Sequence, residues 1–307
     1  MSKTGTIGDS VFRTILIIFA TTIFVIVVAM IAMMVWNSIP TIERFGFSFL
    51  YGRSWMPASD IYGALPFIYG TVVSSLLALI LSVPLSLGIA IFLVEQAPRR
   101  VAAPIAFMVE LLAAIPSVVY GLWGIFVLAP FIRNYLGPFL QNWFGWLPLF
   151  QGRLTGIGML TGGIIMALMI TPIITAVVRD VLEVVPTTQR EAALALGATK
   201  WETTIIVLEN AASGIAGAVV LGLGRALGET MAVTMVIGNS PQISSSLFEP
   251  AYTIASVLAA NFAEATDKLY LSALIEMGLV LFLVTFIVNA FAKLLVMRVA
   301  SRNKTSH

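Results

Sequence analysis

The 307-residue chain contains no cysteine, and its one histidine is His307. Structural disulfides, thiolate metal sites, thiol nucleophiles and histidine-centred catalysis are therefore excluded. Nor is there a glycine-rich phosphate loop followed by Lys and Ser or Thr, so nucleotide hydrolysis has no seat here. No serine or aspartate motif replaces these chemistries. Charge is scarce as well: 10% of residues are Asp, Glu, Lys or Arg, against about 25% in soluble domains. A net charge of +2 gives no reason to expect nucleic acid.

What fills the chain is apolar sequence, 59% of it hydrophobic, with a mean hydropathy of +0.99. Long apolar runs without strand alternation indicate an all-α, polytopic helical membrane protein rather than a barrel. Six spans are expected, at about Phe12–Trp36, Leu65–Val94, Ala103–Leu128, Gly156–Val178, Ala212–Ile237 and Leu269–Phe291. The first is too long for a cleavable signal and reads as a retained anchor. Pro84, Pro116 and Pro172 fall inside expected spans, where a missing amide predicts kinks; for Pro116 a simple packing kink and a role beside a pathway both remain open. Phe131 to Thr155 reads as a weakly structured aromatic segment suited to an interface. Ile254, Val257, Leu258 and Phe262 share a helical face and predict a short amphipathic helix at the outer surface.

Orientation follows from Lys and Arg. Lys3, Arg13, Arg99, Arg100, Arg179, Arg190, Lys200, Lys293, Arg298, Arg302 and Lys304 fall on one side, 11 residues in all, and Arg44, Arg53, Arg133, Arg153 and Lys268 on the other, 5 in all. The excess places both termini in the cytoplasm. The chain divides into an amino tip, first span and outer loop (1–64), a core (65–292) with a cytoplasmic loop at 179–210, and a basic tail (293–307).

That loop is the longest informative polar stretch. Thr188 precedes Glu191 by three residues, and Thr199 precedes Glu202 by three, so two capping boxes are expected. They predict a helix at Gln189–Leu196, a left-handed turn at Gly197–Ala198 and another helix from Lys200. Its Ala- and Leu-rich surface suits a groove on another protein; an interfacial helix that merely turns the chain is the plainer reading. The second polar feature lies within a span. Arg225 and Glu229 stand four residues apart, on one face of a helix, and a basic residue at a span centre costs roughly 2.5–3.5 kcal/mol on insertion scales. The pair is either a packed ion pair fixing helix register or a charged lining of a solute pathway.

Glu191-Ala192-Ala193 followed by Gly197 resembles the EAA loop of ABC importer permeases, which docks in a cleft of a cytoplasmic ATPase. Such loops often close with Ile-x-Leu-Pro, whereas here Val207 is followed by Leu208, Glu209 and Asn210. The segments IPSVVYG (115–121) and GLGRALGETMAV (222–233) are similar to membrane signatures of phosphate-import permeases of PstC type, and the three matches occur in the same order. The resemblance implies a type I, MetI-like permease bundle in a bacterial or archaeal plasma membrane. It implies a second permease of PstA type, two copies of a PstB-like ATPase holding ATP and Mg, a PstS-like extracytoplasmic phosphate-binding protein, and surrounding lipid. The chain itself would bind no cofactor. By the same resemblance, Arg225 and Glu229 line the translocation pathway and Glu191, Ala192, Ala193 and Gly197 form the ATPase coupling surface. A permease for another oxyanion such as molybdate, sulfate or phosphonate keeps the same architecture. A secondary transporter would need an internal repeat and no ATPase; no repeat is evident, and the EAA-like loop speaks against it. A non-transporting assembly subunit would copurify with partners without moving solute.

Overall fold

The computed structural model describes the backbone of residues 7–304 and the side chains of residues 8–98 and 100–294. Lys3, and the side chains of Arg99, Arg298, Arg302 and Lys304 that support the expected orientation, lie outside the described residues. Ten helices carry the architecture: α1 (Ile7–Phe45), α2 (Leu65–Ile91), α3 (Arg99–Ala114), α4 (Ser117–Phe144), α5 (Met159–Val184), α6 (Thr187–Ala195), α7 (Lys200–Leu227), α8 (Met231–Val236), α9 (Ile254–Asn261) and α10 (Lys268–Lys304). Six of them, α1, α2, α4, α5, α7 and α10, are long and apolar enough to cross a membrane.

The bundle is built around α5. Its most apolar stretch is 72% buried, whereas that of α1 has no buried residue. Helix α2 packs along one side of α5 and α7 along another. The close approach of α7 is made by Gly214 and Gly222, where an added Cβ would stand 2.4 Å from Val181 and 2.6 Å from Ile174. Small residues let apolar helices gain dispersion contact where no hydrophobic drive exists between them. Helix α1 is uninterrupted by Gly or Pro from Val11 to Trp36, which is why it runs on as one rod. It packs against α10 at the edge of the bundle, where Thr41 Oγ1 donates to Ser272 Oγ at 2.7 Å.

The amino end of α5 explains how the rest of the site is seated. A helix leaves its first amides without internal partners. Here Gly158 N–H donates to the Val236 carbonyl (3.0 Å), Met159 N–H to Glu249 (3.1 Å) and Leu160 N–H to Leu247 (2.7 Å). The segment after α8 is thereby folded back onto the bundle, and α8 is pinned against α4 and α5.

Several expectations are corrected. The third span is not Ala103–Leu128: the chain breaks at Ile115–Pro116, α3 is a separate amphipathic helix, and the span is Ser117–Phe144. Residues 131–144 therefore belong to that span instead of a weakly structured segment, carried through by π turns at Gly124–Leu128 and Ile132–Leu136. The fifth span is shifted to Lys200–Leu227 and ends before Ile237. Helix α9 does not lie on the outer surface, because Ile254, Ala255, Ser256 and Val257 are all buried against α2, α8 and α10, while Phe262 is exposed. Periodicity identified its apolar face but not that protein, rather than headgroups, covers it.

At the end of the bundle opposite α6, Trp55, Tyr62, Phe67 and Tyr270 form an aromatic cluster, with Tyr62 and Tyr270 stacked at 5.9 Å. Burial, reinforced by nearby Asp60, pushes the Tyr62 hydroxyl up to about 12. The cluster is thus neutral packing that closes the loop between α1 and α2.

Candidate functional site

The polar loop forms two helices joined by a tight turn. Helix α6 ends in a Schellman motif: Ala198 N–H donates to the Ala193 carbonyl at 3.1 Å and Gly197 N–H to Leu194 at 3.0 Å. Gly197 supplies the required left-handed backbone at φ +86°. The Thr199–Glu202 capping box forms, with Thr199 N–H donating to Glu202 Oε2 at 2.7 Å and Glu202 N–H to Thr199 Oγ1 at 3.3 Å. The expected Thr188–Glu191 box does not. Pro186 takes the N-cap position and Thr187 the first helical one, so Thr188 is already inside the helix and cannot cap it. The carboxylate of Glu191 is left out of any local cap, on an exposed residue.

Within α6 only Ala193 is buried. Glu191 and Ala192 face outward with Leu194 and Leu196, the last 90% exposed. Exposed leucines beside an exposed carboxylate make a surface with an apolar centre and a charged anchor.

Helix α7 begins immediately after this turn and runs 28 residues to Leu227, about 42 Å at 1.5 Å per residue. One rod therefore joins the loop to the charged pair. The expected split between a loop helix and a span starting at Ala212 hid this continuity. The signal for it was present, since no proline occurs between Lys200 and Leu227.

Arg225 lies in the last turn of α7 and Glu229 just beyond it, so the pair straddles a helix end and does not share one continuous face. Arg225 Nη2 stands 3.7 Å from Glu229 Oε2; the arginine side chain is 54% exposed and the glutamate 7%. The two residues are unequal. Glu229 is held inside, its Oε1 accepting at 3.4 Å from the Ala232 amide in the first turn of α8. Arg225 sits where the carbonyl end of α7 favours a cation, and its separation from Glu229 leaves donors for another anion. Pro84 and Pro172 lie inside the continuous helices α2 and α5, and Pro116 is the N-cap of α4.

Three residues gain partners or surroundings that sequence reasoning left open. Arg190 is enclosed with Glu95 and backbone carbonyls at the end of α5. Glu110 pairs with Arg179 at 3.0 Å on an exposed surface, a contact of small energetic weight. Glu276 is buried in α10 with Oε2 unpartnered. Among the described residues no cluster of His, Cys, Asp or Glu has the makings of a metal site.

The bundle thus carries an exposed helix-turn-helix joined by one continuous rod to a charged pair. Residues 82–301 match the family model of the binding-protein-dependent transport system inner membrane component. The fold is that of a MetI-like permease: the MetNI methionine ABC transporter, solved in inward-facing conformations, superposes with a TM-score of 0.52 at 17% identity, covering 76% of this chain and 94% of that one. The chain is a non-catalytic, multi-pass permease subunit of an ABC importer, which operates with an ATPase and a substrate-binding protein. More narrowly, it belongs to the PstC-type permeases. It is 48% identical over 272 residues to the phosphate transport system permease protein PstC of Mesorhizobium japonicum (87% of this chain, 82% of that protein). It is 46% identical over 299 residues to PstC of Pasteurella multocida (96% and 93%).

Proposed function

We propose that this chain forms half of the translocation pathway for inorganic phosphate in an ATP-driven importer. Its partners are a PstA-like permease, two copies of a PstB-like ATPase and a PstS-like binding protein. The working core is 65–292, and the loop at 179–210 is the coupling element. The observation that carries this reading is the unequal pair at the end of α7, a half-exposed Arg225 beside a buried Glu229. Intramembrane charge is functional by default, and the two PstC relatives are phosphate-transport proteins by name.

The geometry supports the following roles. Arg225 gives a passing phosphate dianion a partner for charge-assisted hydrogen bonds. Glu229, anchored by the α8 amide, keeps the arginine placed and offsets its charge, so that attraction does not become a trap; conduction needs weak as well as favourable binding. Docking of an ATPase against Glu191, Ala192 and the leucines of α6 moves α6, and α7 carries that movement toward Arg225. ATP closure of the ATPase pair thereby drives alternation between inward- and outward-facing states.

The test is ATP-driven phosphate uptake in vesicles holding the full assembly, parent chain against Arg225→Gln. Uptake lost by more than about tenfold, with assembly and ATP turnover retained, is the expected result. Normal uptake by Arg225→Gln would return the pair to helix packing. Uptake of sulfate or molybdate instead of phosphate by the parent would change the cargo.

A further inference from the structure

Helix α6 has little apolar grip on the bundle. Its one buried residue is Ala193, and its helix packing is against α7, its own continuation. A displacement of α6 reaches α2, α5 and α10 through the packing of α7. A second route, direct and polar, ties α6 to the ends of α2 and α5.

Arg190, one residue before Glu191, turns inward. Its Nε and Nη2 donate to Glu95 Oε1 at 3.1 and 2.8 Å. Glu95 lies in the π turn Phe92–Gln96 that ends the α2 span. The same guanidinium donates from Nη1 to the Val185 carbonyl at 2.6 Å and from Nη2 to the Leu182 carbonyl at 3.0 Å. Leu182 lies in the last turn of α5 and Val185 is its C-cap, and the Leu182 carbonyl also accepts from Val185 N–H at 3.3 Å; at this end of the helix the dipole favours a cation. Arginine's planar fork spreads its donors over three nitrogens and so reaches acceptors on both elements at once, whereas an ammonium offers its donors from a single nitrogen.

Burial separates this contact from the neighbouring one. The acids around Arg179, namely Glu110, Asp180 and Glu183, have side chains 53%, 67% and 61% exposed, so water competes for them. Arg190 and Glu95 are 19% and 11% exposed. Removing one partner of an enclosed pair leaves the other charge unpaired, which costs more than the loss of a surface contact. Beside the pair, Gln96, Leu194, Lys200, Trp201 and Thr203 help line an open cavity of ≈ 580 Å³, which gives α6 room to shift against its surroundings.

We infer that Arg190 and Glu95 form a transmission joint that ties the ends of α2 and α5 directly to α6, so that ATPase movement reaches them by a polar contact as well as through the packing of α7. Arg190 is a positioning residue; it touches neither solute nor nucleotide. The inference rests on the reading of α6 as the ATPase docking helix. It goes beyond that reading by naming the internal contact that spreads the motion.

The test uses the complete four-component assembly in proteoliposomes, with Glu95→Gln, Arg190→Lys and Arg190→Gln. Phosphate moved per ATP hydrolysed is measured together with the ATPase recovered per permease. A structural defect lowers uptake and turnover in parallel and leaves their ratio alone. A broken joint lets the ATPase turn over without moving the bundle, so the ratio falls about threefold to tenfold, most in Arg190→Gln and less in the two conservative variants. If Arg190→Gln does not assemble, Glu95→Gln decides, since it leaves both carbonyl contacts of Arg190 in place. An unchanged ratio in an assembled variant overturns the joint. Leu196→Asp, on the exposed surface of the loop, checks the underlying reading: recovery of ATPase unaffected by it would remove docking at α6, and the joint with it.

Discussion

Gly197 shows how a single backbone angle sets the geometry of the turn between α6 and α7. Its φ is +86°, and a Cβ added there would meet no atom within 4 Å. Any penalty for substitution is therefore conformational, about 1–2 kcal/mol for an ordinary L residue, with Asn the mildest because its short side chain tolerates the left-handed region. ATPase recovered per permease should fall in the order Gly, Asn, Ala, Val at position 197. Equal losses for Asn and Val would place the requirement in side-chain bulk at the docked surface instead. The need for positive φ was legible from the sequence, because a glycine after an Ala- and Leu-rich helix and before a Thr-x-x-Glu start has few other uses. The partners of Arg190 were not. Glu95 lies 95 positions away in sequence, and no local pattern in one chain reports which of several charges will meet.

At the scale of elements, two Thr-x-x-Glu patterns eleven residues apart gave different outcomes, and the difference is physical. Pro186 fixes an extended backbone at the N-cap, φ −57° and ψ 136°, and so starts α6 two residues earlier than the first pattern needs. Thr199 has no such competitor and caps α7. Thr199→Ala should remove about 1 kcal/mol of capping, which is about fivefold faster amide exchange over the first turn of α7. Thr188→Ala should not accelerate exchange in α6, and the higher helix propensity of Ala should slow it slightly. Comparable acceleration in both variants would mean that the first box forms in the membrane. The same competition hid the true start of the fifth span. Polar residues from Lys200 to Asn210 lower the apparent hydropathy of a helix whose backbone never breaks, so composition marked where it enters apolar surroundings and not where it begins. At α3 and α4 the failure ran the other way: an apolar run continued across Pro116, while the backbone did not.

For the whole molecule, the number of spans was readable because each needs about 20 apolar residues, a requirement that composition alone reports. The order of packing was not, since helices in lipid meet through small residues. An added Cβ at Gly217 would meet nothing within 4 Å, whereas Gly214 and Gly222 are the positions pressed against α5. Orientation is the property on which the coupling scheme depends most, because α6 must face the compartment that holds ATP. Lack of cysteine makes that directly measurable: Leu196→Cys and Trp146→Cys each introduce the chain's one thiol at positions 90% and 76% exposed. In intact cells, a membrane-impermeant maleimide should label Trp146→Cys. It should reach Leu196→Cys only after permeabilisation, and then less when the ATPase is present. Labelling of Leu196→Cys in intact cells would invert the topology, put α6 beyond reach of any cytoplasmic ATPase, and leave the 42 Å rod of α7 with nothing to transmit.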